Sequence, residues 1–386
     1  MKGMRYSVEK SWQAALAQRL EDGNLRQLKT APQELVDFCS NDYLGFARHQ
    51  GFWEAVHDTW RSLEGGVRGG ATGSRLISGN HPYLMDLEAQ LADWAGTEAA
   101  LLFNSGYQAN VAVLATLPQR GDTLLCDANI HASLRDGARL SQAKRYYFAH
   151  NDLEALEQKL QKKQGQGQTF VVVESVYSMD GDQAPLQAMA ACCERYGAYL
   201  IVDEAHSIGV FGPQGRGLVA QDGLGETAVP LRVLTFGKAF GNHGACVVGS
   251  RLMIDYLTNF ARTFIYTTAM PLHTAIGIGQ ALQWLETQPQ WQTQLHQNID
   301  LFCQQLKNPT LGTAPIQIWR VEGGNEAARQ AAQTLQAAGM DVRPILAPTV
   351  PLGQECLRIC LHATHSTVQI IQLCQALKQL SFHTIS

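Results

Sequence analysis

The sequence contains no apolar stretch of the roughly 18 residues that a membrane-spanning helix requires. Its start, MKGMRYSVEKSWQAALAQRL, lacks the apolar run of a signal peptide. Both absences predict a cytoplasmic protein. Cysteine spacing of the metal-binding kind is missing too. Among nine cysteines, Cys192 and Cys193 are adjacent and Cys356 and Cys360 are four apart, and neither pair matches a zinc knuckle or a thioredoxin-like C-x-x-C. No metal site is therefore expected, and unpaired thiols suit a reducing compartment. An excess of one charge is absent as well, with a net charge of −4 and 17% charged residues. That balance gives no reason to expect nucleic acid or a membrane surface as partner. What remains is an ordinary globular composition, 45% hydrophobic, over 386 residues. Such a length predicts one large domain and a smaller one.

Periodicity predicts an amphipathic helix over residues 8–28, with Trp12, Leu16, Leu20 and Leu28 on one face. Glycines crowd residues 65–79 (GGVRGGATGSRLISG), which predicts a loop that approaches something closely. A helix is predicted from Pro82 to about Ala95, burying Leu84, Leu87, Leu91 and Trp94. Near-continuous apolar runs follow: AALLFN (99–104), DTLLCD (122–127), FVVVES (170–175), AYLIVDEA (198–205), RVLTFG (232–237) and ACVVGS (245–250). Strands apolar on both faces and alternating with helices indicate an α/β fold with a largely parallel sheet. The segment QKKQGQGQ (161–168) reads as an exposed, flexible connection. Beyond about residue 280, helices at 281–307 and 325–339 flank short strands near IQIWRV and CLRICL, the pattern of a smaller α+β domain. The predicted division is an N-terminal helix and arm (1–48), a large domain (49–280) and a small C-terminal domain (281–386).

In parallel sheets, ligands sit beyond the carboxyl ends of the strands, so the polar residues there carry the argument. Asp203 closes AYLIVD, and His206 follows it. Thr235 and Lys238 close RVLTFGK, and Gly106 lies where NSGYQAN opens a helix after AALLF. An acid, a lysine, a histidine and a helix N-terminus on one sheet edge are what pyridoxal phosphate requires. The lysine amine forms the Schiff base, and its solution pKa of about 10.4 must fall for that task. The acid keeps the pyridine nitrogen protonated so that the ring accepts electrons. Helix N–H groups receive the phosphate, and a ring such as His131 of NIHASL covers the cofactor face. Singly, each has a plainer reading: a solvated lysine, a turn aspartate, a structural histidine, a helix start. Their order and joint context favour the cofactor.

The chain also resembles the α-oxoamine synthases of the aspartate-aminotransferase-like (fold type I) group over nearly its whole length. The resemblance rests on SNDYLGF (40–46), GATGSRLISGNHPYLMDLE (70–88), LLFNSGYQAN (101–110), NIHASLRDGARLS (129–141), HNDL (150–153), ESVYSMDGDQAPL (174–186), VDEAHSIGVFGPQGRG (202–217), TFGKAFGNHGA (235–245), IYTTAMP (265–271) and PTVPLGQECLRICLHATH (348–365). It implies that Lys238 holds the cofactor, Asp203 faces the pyridine nitrogen and His131 stacks on the ring. His206 and Ser178 would lie near the phenolic oxygen. Gly106, Tyr107 and Thr235 would serve the phosphate, and Thr267 or Thr268 would reach the phosphate of a partner across a homodimer interface. Arg358 would grip the amino-acid carboxylate, Asn41 and Thr349 would line the substrate site, and Arg26 would meet a distal acid on the acyl chain. Within the family, GSRLISGNHPYLMDLE, QGRG and APTVP followed by LRICLHATH are most similar to the branch that joins L-alanine to a pimeloyl thioester in biotin synthesis. A glycine acetyltransferase of the same family is the alternative.

Three departures stand out. Leu346 occupies a place where many relatives carry arginine, with Arg343 nearby; Cys360 and His362 replace small or hydroxylated residues; and Asn242 and His243 are bulky beyond the lysine. Other classes fare poorly. Asp203-Glu204-Ala205-His206 spells a helicase DEAH box, but the phosphate loop that must precede it is missing: Gly237-Lys238 lies downstream, is followed by Ala239, and has Arg232 where the first glycine belongs. A regulator built on such a domain needs a DNA-binding segment, and the residues before SNDYLGF are too few and too poor in basic residues.

Overall fold

The computed structural model describes residues 2–28, 30, 32, 34–63, 69–163, 167–308 and 311–383. Residues 65–68 of the glycine-rich stretch and 164–166 of the predicted flexible connection lie outside the described residues. The chain forms two compact units, Met1–Val36 and Asp37–Ser386. The first holds helix α1 (Lys2–Glu21), which ends earlier than the predicted 8–28. A turn at Asp22–Gly23 stops it, with Gly23 at φ 64°, a backbone conformation that glycine adopts without penalty. Arg26 and Leu28 therefore lie beyond the helix, and Trp12, Leu16 and Leu20 are exposed on it.

In the second unit, seven strands form the main sheet: β1 (Ala99–Phe103), β2 (Thr123–Asp127), β3 (Lys144–Phe148), β4 (Thr169–Glu174), β5 (Tyr199–Asp203), β6 (Leu231–Thr235) and β7 (Ala245–Gly249). Their order is β1-β7-β6-β5-β4-β2-β3. The pairings from β3 through β6 are parallel. Strand β7 runs antiparallel to both β6 and β1. Two reversals restore direction, so β1 points the same way as β6, and Phe103, Asp127, Glu174, Asp203 and Thr235 all finish at one edge. Strands β1, β2, β4 and β7 are buried throughout, as their unbroken apolar runs require. Strand β3, KRYYF, was not legible as an apolar run because it is an edge strand with mostly exposed residues.

Helix α2 (Pro82–Ala95) has the predicted limits, and local chemistry explains both. The His81 side chain accepts the Tyr83 N–H at its start, Pro82 occupies the first turn, and Gly96 at φ 69° closes it by donating to Ala92 and Asp93 carbonyls. Leu84, Leu87, Leu91 and Trp94 are buried as expected. The helical stretch predicted at 281–307 is two helices, Leu272–Thr287 and Gln290–Leu306, because Pro289 cannot continue the first and initiates the second. A three-stranded antiparallel sheet follows: β8 (Ile316–Arg320), β9 (Arg343–Ile345) and β10 (Cys356–Cys360), with β10 in the middle. No helix among the described residues is long and apolar enough to cross a membrane.

Candidate active site

Three titratable side chains meet at the common strand edge. Asp203 ends β5 and is 5% exposed. Its Oδ1 accepts the Ala205 N–H at 2.9 Å and its Oδ2 accepts the Asn110 amide at 2.7 Å. Glu174 ends β4 opposite Asp203 in the parallel register and accepts the His131 backbone N–H. Burial and the Asp203 charge push Glu174 up to about 8. Adjacent buried carboxyls are costly to ionise together, so Glu174 holds a proton near neutrality. Lys238 follows β6 and is half-buried. Burial lowers its amine to about 8; Asp203 and Glu174 oppose the shift and Arg358 adds to it. About a tenth of the amine is thus uncharged at pH 7, far more than for an ordinary lysine.

His131 caps helix α4 (Ala132–Leu140), its Nδ1 lying 3.2 Å from the Ser133 N–H donor and 2.7 Å from Ser133 Oγ. Desolvation, helped by Lys238 and opposed by Asp203, lowers its pKa. His206 is buried, and its Nδ1 lies 2.7 Å from the Tyr43 hydroxyl, which also donates to Asn41 Oδ1 at 3.1 Å. Burial, with the Lys238 and Arg358 charges, holds His206 well below the ordinary histidine value, so it is neutral. Arg358 on β10 donates from Nε to the Ser178 carbonyl (2.9 Å), from Nη1 to Cys360 Sγ (3.0 Å) and from Nη2 to Asn41 Oδ1 (3.1 Å). A guanidinium carries five N–H donors, so donors remain for an incoming carboxylate.

Helix α3 (Gly106–Thr116) starts directly after β1, with Ser105 as its cap. The first N–H groups of a helix have no intrahelical acceptor and favour an anion. A side chain at Gly106 would collide with the Thr235 hydroxyl, so glycine keeps this approach open. Asn104 donates to Thr267 Oγ1 (3.2 Å) and to the Thr268 carbonyl (2.8 Å), tying that loop to the same corner. The Tyr107 hydroxyl is turned to Asp136 at 2.7 Å.

Several expected residues are not drawn into this network. Thr349 is exposed, and its N–H closes a turn onto the Leu346 carbonyl. Arg343 lies opposite Arg358 in the sheet, but its guanidinium is engaged by both oxygens of Asp341. His243 is exposed, with its backbone N–H on Asn242 Oδ1. Arg26 is exposed within the Met1–Val36 unit. Conversely, Asn110, Ser133, Glu174 and Tyr43 were not singled out from sequence, although each lies inside a quoted motif. Their only sequence signal was position: Glu174 ends a buried strand as Asp203 does, and Asn110 lies one helical turn beyond Gly106.

These residues fit pyridoxal phosphate: a half-buried amine of lowered pKa, a buried carboxylate fixed by two donors, a histidine beside it and a helix start cleared by glycine. A mostly parallel sheet presenting that set at its carboxyl edge defines a fold type I pyridoxal-phosphate enzyme. The chain belongs to the class I and II aminotransferase family, whose model matches residues 33–377. It is 39% identical to the 8-amino-7-oxononanoate synthase of Marinobacter nauticus, over 98% of this chain and 96% of that one. It is 40% identical to the 8-amino-7-oxononanoate synthase of Trichlorobacter lovleyi, over 95% and 97%. Among solved structures it is similar to a serine palmitoyltransferase from S. paucimobilis with bound PLP-myriocin aldimine (TM-score 0.86, 28% identity, 98% of each chain). It is also similar to the 8-amino-7-oxononanoate synthase of Francisella tularensis (TM-score 0.76, 28% identity, 92% of this chain and 100% of that one).

Proposed function

We propose that this chain is an 8-amino-7-oxononanoate synthase, joining L-alanine to a pimeloyl thioester with release of carbon dioxide and the thiol. The observation that carries this reading is near-full-length similarity to curated proteins of that name, on a chain whose own residues assemble the cofactor set. Pyridoxal phosphate, when bound, supplies the electron sink that lets an amino-acid Cα–H ionise. Lys238 holds the cofactor and then, as a free amine, takes the Cα proton, for which its lowered pKa suits it. Asp203 keeps a proton on the pyridine nitrogen, and the Asn110 and Ala205 donors keep its carboxylate in place. Arg358 fixes the alanine carboxylate with the donors that Ser178, Cys360 and Asn41 leave over. Neutral His206 and Ser178 would hydrogen-bond the phenolic oxygen, and His131 would cover the ring. Gly106, Tyr107 and Thr235 would receive the phosphate.

The active unit is a homodimer in which Thr267 or Thr268 would reach the partner's phosphate, and the chain divides into an arm at 1–48 and lobes at 49–280 and 281–386. The enzyme works in the cytoplasm, in keeping with nine free cysteines. Arg26 would meet the distal acid of the pimeloyl group, and Asn41 and Thr349 would line the substrate site. The test is a panel of acetyl, succinyl, pimeloyl and palmitoyl thioesters with alanine, glycine and serine, on wild type and Arg26→Ala. Pimeloyl with alanine should be best. Arg26→Ala should lower kcat/KM about ten- to a hundred-fold for the free-acid donor alone, the worth of one charge-assisted hydrogen bond. Preference for acetyl with glycine would overturn the assignment and leave the cofactor chemistry standing.

A further inference from the structure

We propose that Asn110 and Ser133 are positioning residues that hold His131 in one neutral tautomer, with Nδ1 a bare acceptor and the ring proton on Nε2. The chain of reasoning starts at Asp203. Its carboxylate takes a hydrogen from Asn110 Nδ2 at 2.7 Å, and the same NH2 group reaches Ser133 Oγ at 2.9 Å. The amide cannot be turned over, because that would set Asn110 Oδ1 against the Asp203 carboxylate. The cost of this orientation is visible: Asn110 Oδ1 is buried without a partner. Both Asn110 hydrogens are thus committed, one to the acid and one to the serine.

Ser133 Oγ, already accepting from Asn110, has its own hydrogen left to give. His131 Nδ1 lies 2.7 Å away, and the Ser133 backbone N–H reaches the same nitrogen at 3.2 Å. Two donors converging on Nδ1 require a lone pair there. A neutral imidazole carries one N–H, which must then be on Nε2. The surrounding charges divide: Asp203 and Asp136 favour a protonated ring, while Lys238 opposes it. Glu174 binds the His131 backbone N–H and not the ring. The donors on Nδ1 therefore tip the balance towards the neutral ring. On the proposed function, the exposed histidine then presents a hydrogen-bond donor to an acceptor atom of the bound substrate, and the residue that orients the pyridine acid also orients the ring cover.

The experiment uses cofactor-free enzyme labelled with nitrogen-15 in its 12 histidines, with His131 assigned by loss of its signals in His131→Gln. The expected wild-type spectrum at neutral pH has Nε2 protonated and Nδ1 bare. Ser133→Ala removes one hydrogen bond to the neutral form, so the His131 titration midpoint should rise by roughly one pH unit. Ser133→Thr keeps the hydroxyl and should restore it, while Asn110→Ala should move it the same way by less. An Nδ1–H tautomer or an imidazolium in wild type overturns the proposal, as does an unmoved midpoint in Ser133→Ala. No substrate is present, so a wrong acyl donor would not alter these outcomes.

Discussion

Glu204 and Arg232 offer the sharpest test of how the strand edge is held. Glu204 directly follows Asp203 in the chain and is wholly buried. Its Oε1 accepts Ser207 Oγ at 2.9 Å and the Val219 N–H at 3.1 Å, and Arg232 Nη1 lies 3.3 Å from Oε2. Arg232 is itself buried and bonds the Ala95 carbonyl. The second acid of the DEAH tetrapeptide is thus a structural charge. Arg232→Met keeps most of the volume and removes the compensating charge. An uncompensated buried carboxylate costs about 3–5 kcal/mol. Removing both charges, as in Glu204→Leu with Arg232→Met, adds an unpaired Val219 N–H, about 1–3 kcal/mol, to the Ala95 carbonyl that the single variant orphans as well. The double variant should therefore be more stable than the single one. Burial already raises the Glu204 pKa, and losing the arginine raises it further. Folding then favours the protonated carboxyl, so the penalty appears above the unfolded carboxylate pKa and grows until pH passes the raised folded value. Arg232→Met should be less destabilised at pH 5 than at pH 8. Thermal unfolding of wild type and both variants at the two pH values is the assay. Equal losses at both pH values, or a double variant no better than the single, would refute the reasoning.

Lys238→Ala should fold but give no turnover; activity above about a hundredth of wild type would remove Lys238 from its role. In wild type, the rate at which apoenzyme captures pyridoxal phosphate should fall about tenfold per pH unit below the Lys238 value of about 8, because only the free amine reacts; a flat rate from pH 8 to 6 would contradict this. Arg358→Ala should raise KM for alanine roughly ten- to a hundred-fold, read by steady-state kinetics at saturating thioester, and an unchanged KM would free Arg358 from carboxylate binding. His150 lies between Asp127 (2.9 Å) and Asp182 (2.7 Å); burial alone would lower its pKa, but those hydrogen bonds raise it to about 10. A histidine whose folded pKa is raised stabilises fully below its unfolded value near 6.5 and loses that contribution as pH rises towards about 10. The stability gap between wild type and His150→Phe should therefore shrink from pH 7 to pH 10, and a constant gap would argue against an ionised clamp.

The sequence by itself determined the elements whose signals are local. Buried parallel strands need apolar residues on both faces, so β1, β2, β4, β5, β6 and β7 stand out as runs. Helix α2 carries its own start and stop in His81, Pro82 and Gly96. Asp203 and Lys238 were legible because a charged residue closing an apolar strand is conspicuous in one dimension. Elements that draw stability from neighbours were not. Strand β3 is polar because it is an edge, whereas the stops at Gly23 and Pro289 are local signals that the reading of periodicity passed over. Only the tertiary structure decided the partnerships. Tyr43 meets His206 across 163 residues, Asn110 meets Asp203 across 93, and Arg358 meets Ser178 across 180. It also gave the Arg343 guanidinium to Asp341. Hydrogen-bond partners and pKa values depend on which chains of atoms are brought within about 3 Å, and the order of strands in a sheet sets that, not spacing along the chain.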